Sequence, residues 1–290
     1  MGKAKALLQI IRPINCVMMG FAVIVGASLA SKEEFSSQIL SNLFLGFVTA
    51  FTLTGASMAI NDHYDRNIDA INEPNRPIPK GIISPKQALL YASFLTIVGF
   101  LASFFTNEFL FDKVPTLTIA ILSWIISTVY AIKGKQTGLL GNFLVSACVA
   151  VPFIYGSFAV GKRFEVVIIL LAAMAFLSNT GREVAKSIVD IEGDKSQNIK
   201  TIAVRYGEKT AAVVASFFFI LAVVLSPLPL LLNSVSLWFL PLVAVTDIGL
   251  VASSILLIRD HSRRNAKKIK NLVLIWFLFG FLAFITGTFG

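Results

Sequence analysis

Nine apolar runs, each close to the length a helix needs to cross the hydrocarbon of a bilayer, occupy most of this 290-residue chain and leave it few ways to fold. They cover roughly residues 14–31, 38–60, 87–106, 115–132, 139–160, 165–189, 208–228, 236–258 and 271–289, against the ~17 to ~25 residues that one crossing takes. Hydrophobic residues make up 56% of the chain and charged residues only 14%, and the mean hydropathy is +0.79. Such values lie outside the soluble globular range. The expected fold class is all-α, a polytopic membrane protein in one transmembrane domain over 1–290.

The cations test this count, because a correct alternation gathers Lys and Arg into every second connection. It does so here. Lys3, Lys5 and Arg12, the connection at 61–86, Lys133 and Lys135, the segment 181–209 and the connection at 259–270 hold all but four of the 25 Lys and Arg residues. Lys32, Lys113, Lys162 and Arg163 fall on the other side. A cytoplasmic N-terminus and an outward C-terminus follow. The net charge of +9 is then explained by orientation and by anionic lipid headgroups, and no nucleic-acid partner is expected. Cys16 and Cys148 both fall inside expected helices, as small buried residues without disulfide spacing. The first apolar run lacks a cleavable signal pattern and reads as a spanning helix.

Two connections, about 61–86 and 190–207, are longer than spans of this kind need, and both carry aspartates. In the first, Asp62, Asp65 and Asp69 stand at i, i+3 and i+7, one face of a continuing helix. In the second, Asp190 and Asp194 are four apart. Carboxylates gathered this way repel one another and hold raised pKa values unless a cation joins them. Mg²⁺ suits them, since it takes one or two carboxylates and completes its octahedron with water and phosphate oxygens. A metal-bridged diphosphate is therefore expected, with Asp62, Asp65, Asp69, Asp190 and Asp194 catalytic and metal-ligating, and Asn61 adding an amide oxygen. Each segment follows a span that runs towards the cytoplasm, four spans apart, which hints at a parallel repeat.

Cations accompany the carboxylates. Arg182, Lys186 and Asp190 share one helical stripe, and charge at membrane depth faces the bundle interior, where a diphosphate would compensate it. Glu183 points off the stripe and is expected to pair locally. Arg66 and Arg76 in the first connection, Tyr130 and Lys133 at the end of the fourth span, and Asn15 in the first complete the substrate-binding candidates. The run Asn72–Gly81 contains Pro74, Pro77 and Pro79, which favours stiff extended backbone able to cover the site. Asp247 falls inside the eighth span and is expected neutral and hydrogen-bonded. His63 and His261 lack zinc spacing.

The string Asn61-Asp62-x-x-Asp65-x-x-x-Asp69, then Asn75-Arg76-Pro77-Ile78-Pro79-x-Gly81, together with Asp190-x-Glu192-Gly193-Asp194, resembles the UbiA superfamily of intramembrane prenyltransferases over essentially the whole chain. The resemblance implies nine helices around a central cavity open to lipid, and Mg²⁺ with a polyprenyl diphosphate donor held by the two aspartate motifs. Arg182-Glu183-Val184-x-Lys186 leading into the second motif is most similar to the archaeal digeranylgeranylglyceryl phosphate synthases. That similarity implies geranylgeranyl transfer to the free glycerol hydroxyl of geranylgeranylglyceryl phosphate, a lipid-phosphate acceptor, forming the second ether bond of archaeal membrane lipid. The first motif is also similar to that of chlorophyll synthases, and an aromatic or chlorophyll-type acceptor stays open. From other classes, a transporter with an intramembrane charged site or a magnesium-dependent lipid-diphosphate phosphatase remains in view.

Overall fold

The computed structural model of the protein describes residues 2–31, 36–107, 110–161 and 164–289, without the side chains of 110–112; Lys32, Lys162 and Arg163 lie outside it. Every regular element described is helical. A short helix α1 (Lys3–Ile11) precedes α2 (Pro13–Ala30), α3 (Ser37–Tyr64), α4 (Arg66–Asn72), α5 (Pro85–Phe104), α6 (Leu110–Ile132) and α7 (Leu139–Ala159). Then come α8 (Val166–Val189), α9 (Ile191–Ser196), α10 (Ile202–Leu225), α11 (Leu228–Leu231), α12 (Leu240–Arg259) and α13 (Arg263–Thr286). Among the described residues, nine helical segments are long and apolar enough to cross a membrane, and they fall on the nine runs read from hydropathy.

Side-chain caps explain several helix starts. Ser36, Thr201 and Ser262 each accept a hydrogen bond from the backbone N–H three residues on, and Ser84 and Gln87 form a reciprocal capping box ahead of Pro85. The cap at Ser262 corrects one boundary. The ninth helix begins at Arg263, not near 271, so Arg263, Arg264, Lys267, Lys268 and Lys270 lie on its first turns. Charge removes a helical turn from a hydropathy count without removing it from the helix. Likewise α10 starts at Ile202, with Gly207 at φ +87° interrupting it.

The described chain divides into two compact units, Met1–Gly134 with Val151–Arg163 and Lys135–Ala150 with Phe164–Gly290. In the first, α3 packs against α1, α2, α5 and α6. Its core includes Ala6, Ile10 and Ile11 of α1 with Ala56, Ala59 and Ile60 of α3. The Cβ-less faces of Gly26 and Gly156 bring α2 and the end of α7 into backbone contact: a Cβ added at Gly26 would lie 2.1 Å from the Phe153 carbonyl oxygen, and one at Gly156 2.0 Å from that of Val23. Small residues allow such approaches where lipid offers helices no hydrophobic drive to associate. In the second unit α8 packs on α10 and α13, and α12 on α10 and α13.

At 28 residues, α3 is about 42 Å long at about 1.5 Å per residue, longer than a hydrocarbon core of about 30 Å. It is thus long enough for its aspartate-bearing end to reach past the apolar slab.

Candidate active site

The first aspartate segment keeps helical spacing with one joint. Asp65 closes α3 and opens α4, and its N–H bonds to the Asn61 carbonyl while the Asp69 N–H bonds to its own. The face survives the joint. Asp62, Asp65 and Asp69 are all buried, at 3%, 7% and 4% exposure. Arg76 spans two of them, its Nη1 donating to Asp69 Oδ2 at 2.6 Å and to Asp62 Oδ1 at 3.2 Å. Asn61 Nδ2 donates to Asp65 Oδ2 at 2.8 Å.

The proline-rich run after α4 corrects the expectation of extended backbone. Lys80 N–H bonds to the Arg76 carbonyl, Gly81 N–H to that of Ile78 and Ile82 N–H to that of Pro77, with Gly81 at φ +70°. This is a single helical turn closed by a Schellman motif. Pro77 and Pro79 fit because the first turn of a helix has no use for their missing N–H groups. Ile78 and Ile83 sink into the same core as α1 and α3, so the turn is nailed down, and it aims Arg76 at the carboxylates.

In the second unit, Asp194 lies on α9 and is 8% exposed, while Asp190 is half-buried at the junction of α8 and α9. A Schellman motif closes this helix too: Asn198 has φ +55° and the Ile199 N–H bonds to the Asp194 carbonyl. The stripe of cations upstream is not left for a ligand to neutralise. Glu183 Oε1 accepts from Arg182 Nη1 at 2.9 Å and its Oε2 from Lys186 Nζ at 3.2 Å, and Arg182 Nε donates to the Lys270 carbonyl. A buried carboxylate one residue off the stripe thus orders both cations. Lys186 remains about one-third exposed.

Burial and neighbouring charge set the acidity of these groups. Asp69 is pushed up to about 6, first by burial, against the pull of Arg76 and with Asp62 and Asp65 adding to the rise. Asp194 is pushed up to about 7 by burial and by Asp190, opposed by Lys186, Lys135 and a hydrogen bond from Thr201. Arg76 is held above its ordinary value by the carboxylates around it, despite burial. Both aspartates hold a proton more tightly in the folded, metal-free protein than in the unfolded chain. Their contribution to stability is then full below about pH 4 and is lost as the pH rises through about 6 to 7. Chelator-treated protein in detergent should melt at a lower temperature at about pH 8 than at about pH 5; the reverse order in a thermal melt would show the carboxylates already compensated.

The remaining expected residues are placed less centrally. Arg66 is exposed and donates to the His63 carbonyl at 2.8 Å. Asn15 is half-buried on the first turn of α2. Tyr130 is half-buried and Lys133 exposed at the end of α6. It is Lys135, two residues on, whose charge reaches Asp194. Asp247 accepts a hydrogen bond from Ser226 Oγ at 2.6 Å. Sequence reading counted Arg12 only for topology, yet its Nη2 donates to Asp62 Oδ1 at 2.6 Å.

Each compact unit thus carries its own carboxylate group where a spanning helix passes into a short one, Asp62, Asp65 and Asp69 in the first and Asp190 and Asp194 in the second, each beside ordered cations. The UbiA prenyltransferase family model matches residues 19–286. The chain belongs to the UbiA prenyltransferase family and is an intramembrane prenyltransferase. It is 34% identical over 287 residues to the digeranylgeranylglyceryl phosphate synthase of Methanocaldococcus jannaschii, covering 99% of this chain and 97% of that one. A solved structure described as giving insight into digeranylgeranylglyceryl phosphate synthase in membranes matches at a TM-score of 0.74 and 31% identity, covering 99% of each chain. A UbiA homolog from Archaeoglobus fulgidus bound to GPP and Mg²⁺ shares the fold at a TM-score of 0.62 and 17% identity, over 97% of this chain and 99% of that one.

Proposed function

We propose that this protein transfers a geranylgeranyl group from geranylgeranyl diphosphate to the glycerol hydroxyl of geranylgeranylglyceryl phosphate, with Mg²⁺, at the cytoplasmic face of the membrane. The observation that carries this reading is the pair of carboxylate groups, buried Asp62, Asp65 and Asp69 early in the sequence and buried Asp194 with half-buried Asp190 later, each accompanied by guanidinium or ammonium groups. The full-length match to relatives that bear the synthase name supports the acceptor.

The residues fit a hard divalent ion. Their donors are oxygens only, and burial, with neighbouring carboxylates, pushes Asp69 up to about 6 and Asp194 up to about 7. Among the described residues, no group of three or more ligating side chains already converges on a point. Mg²⁺ does not ask for one, because it is ordinarily bound through one or two carboxylates plus substrate phosphates. When bound it would supply charge stabilisation to the departing diphosphate.

The chain's own cations do the rest. Arg76, Arg182 and Lys186 are held in place by carboxylates before any donor arrives, so their charge is oriented in advance of the reaction. Lys133, Arg66, Tyr130, Asn61 and Asn15 are assigned secondary contacts to donor or acceptor. The allylic carbon–oxygen bond of the donor breaks, the acceptor hydroxyl oxygen bonds to that carbon, and its proton leaves with diphosphate.

Purified protein given geranylgeranyl diphosphate, Mg²⁺ and geranylgeranylglyceryl phosphate should form the doubly alkylated ether lipid. Release of prenyl alcohol alone would make the protein a phosphatase, and transfer only to an aromatic acceptor would move it to another branch of the family. In the same preparation, added Mg²⁺ should raise the melting temperature more at about pH 8 than at about pH 5, since ligation displaces protons from raised carboxylates.

A further inference from the structure

Asp62, which the function proposed above assigns to the metal, already carries two guanidinium groups on one oxygen. Arg12 Nη2 lies 2.6 Å from Asp62 Oδ1 and Arg76 Nη1 lies 3.2 Å from the same atom. The two arginines are not equally committed. Arg76 has a second and shorter contact, 2.6 Å to Asp69 Oδ2, and sits on the Schellman-closed turn. Arg12 has Asp62 and, through Nη1, the Met58 thioether at 2.7 Å, a weak acceptor.

The backbone at Arg12 is as unusual as its side chain. It has φ 52° and ψ 72°, the left-handed region, at the joint between α1 and α2. A residue with a Cβ resists that conformation, and one preceding a proline is normally extended. Surrounding structure holds it there: Ile10 and Ile11 are buried against α3, and the Asn15 and Cys16 N–H groups bond to the Arg12 carbonyl. A strained residue that reaches 50 positions along the chain to a buried carboxylate fits a site built around its charge.

We propose that Arg12 is the resident counter-ion of Asp62, giving up this carboxylate oxygen when the metal-bound diphosphate arrives and donating to the diphosphate instead. The inference rests on the function proposed above. Arg12 is the mobile partner of the pair because it holds one carboxylate where Arg76 holds two, and its side chain is 30% exposed. Its planar fork of donors matches diphosphate oxygens better than it matches one shared carboxylate oxygen. Arg12 is thus a positioning residue for the donor, linking it to α1.

Manganese binding to full-length, chelator-treated protein in detergent, followed by electron paramagnetic resonance without any prenyl donor, tests the exchange. Arg12→Gln should bind Mn²⁺ about tenfold more tightly than the parent, the change that about 1.4 kcal/mol represents. Added inorganic diphosphate should tighten Mn²⁺ in the parent and do so much less in this variant. Arg12→Lys, which keeps the charge with fewer donors, should shift affinity in the same direction by a smaller factor, and it serves if Arg12→Gln fails to fold. Unchanged or weaker Mn²⁺ binding in the variants would overturn the proposal, as would parent binding that survives Asp62→Ala. If prenyl transfer fails in the assay above while this exchange holds, the functional reading falls and the exchange stands.

Discussion

Asp62→Ala and Asp194→Ala should each abolish prenyl transfer while leaving folded protein in detergent. Each removes a buried carboxylate from a different segment, so the two variants test the two aspartate segments separately. Loss of one preorganised electrostatic group typically costs about 10²- to 10³-fold in rate, and a carboxylate that ligates a metal should exceed that. Folding should survive for different reasons in the two cases. At Asp62, Arg76 keeps Asp69 as partner, and Arg12 is exposed enough to be solvated. At Asp194, burial works against the charge, so its removal relieves a cost. Rates with geranylgeranyl diphosphate and Mg²⁺, alongside size-exclusion profiles and melting curves, decide it. Retained activity in both variants would remove the metal-site assignment.

Gly156→Val should be the most damaging change outside the site. The added Cβ alone would fall 2.0 Å from the Val23 carbonyl oxygen and 2.8 Å from the Ala27 nitrogen, atoms of the α2 backbone that cannot rotate away. Overpacking a core costs about 1 to 3 kcal/mol where side chains can yield, and here the helices themselves must separate. The variant should be lost on extraction or melt far below the parent. Gly280→Ala is the matched control, since its nearest neighbours to an added Cβ are both 3.7 Å away, on Thr246. Equal melting temperatures for the two variants would show that α2 and α7 do not depend on backbone contact.

Legibility in the sequence followed the range of the interaction. Spans were readable because each is decided by its own solvent, and among the described residues each of the nine apolar stretches falls on a spanning helix, with edges that differ by up to eight residues, as at Arg263. The grouping of Asp62 and Asp69 was readable because helical period is local, and the chain continues α3 into α4 with one joint. Boundaries failed where charge and helix coexist, as at Arg263–Lys270, and where prolines were read as extended instead of as the first turn of a helix closed by Gly81. Lys133 and Lys135 are not told apart by sequence because a single residue, Gly134 at the start of the 3₁₀ turn Gly134–Thr137, separates the exposed cation from the one whose charge acts on Asp194.

Hydropathy, the distribution of Lys and Arg and the spacing of the aspartates determined, from the amino-acid order alone, a chain of membrane-spanning helices with an acidic segment after the second and after the sixth. Each of these depends on near neighbours or on the surrounding medium. The tertiary structure decided which charge answers which, Arg12 and Arg76 on Asp62, and brought together the two glycines that let α2 and α7 touch. Such pairings join residues tens of positions apart through a few ångströms of space. No period or composition encodes that distance before the helices have packed.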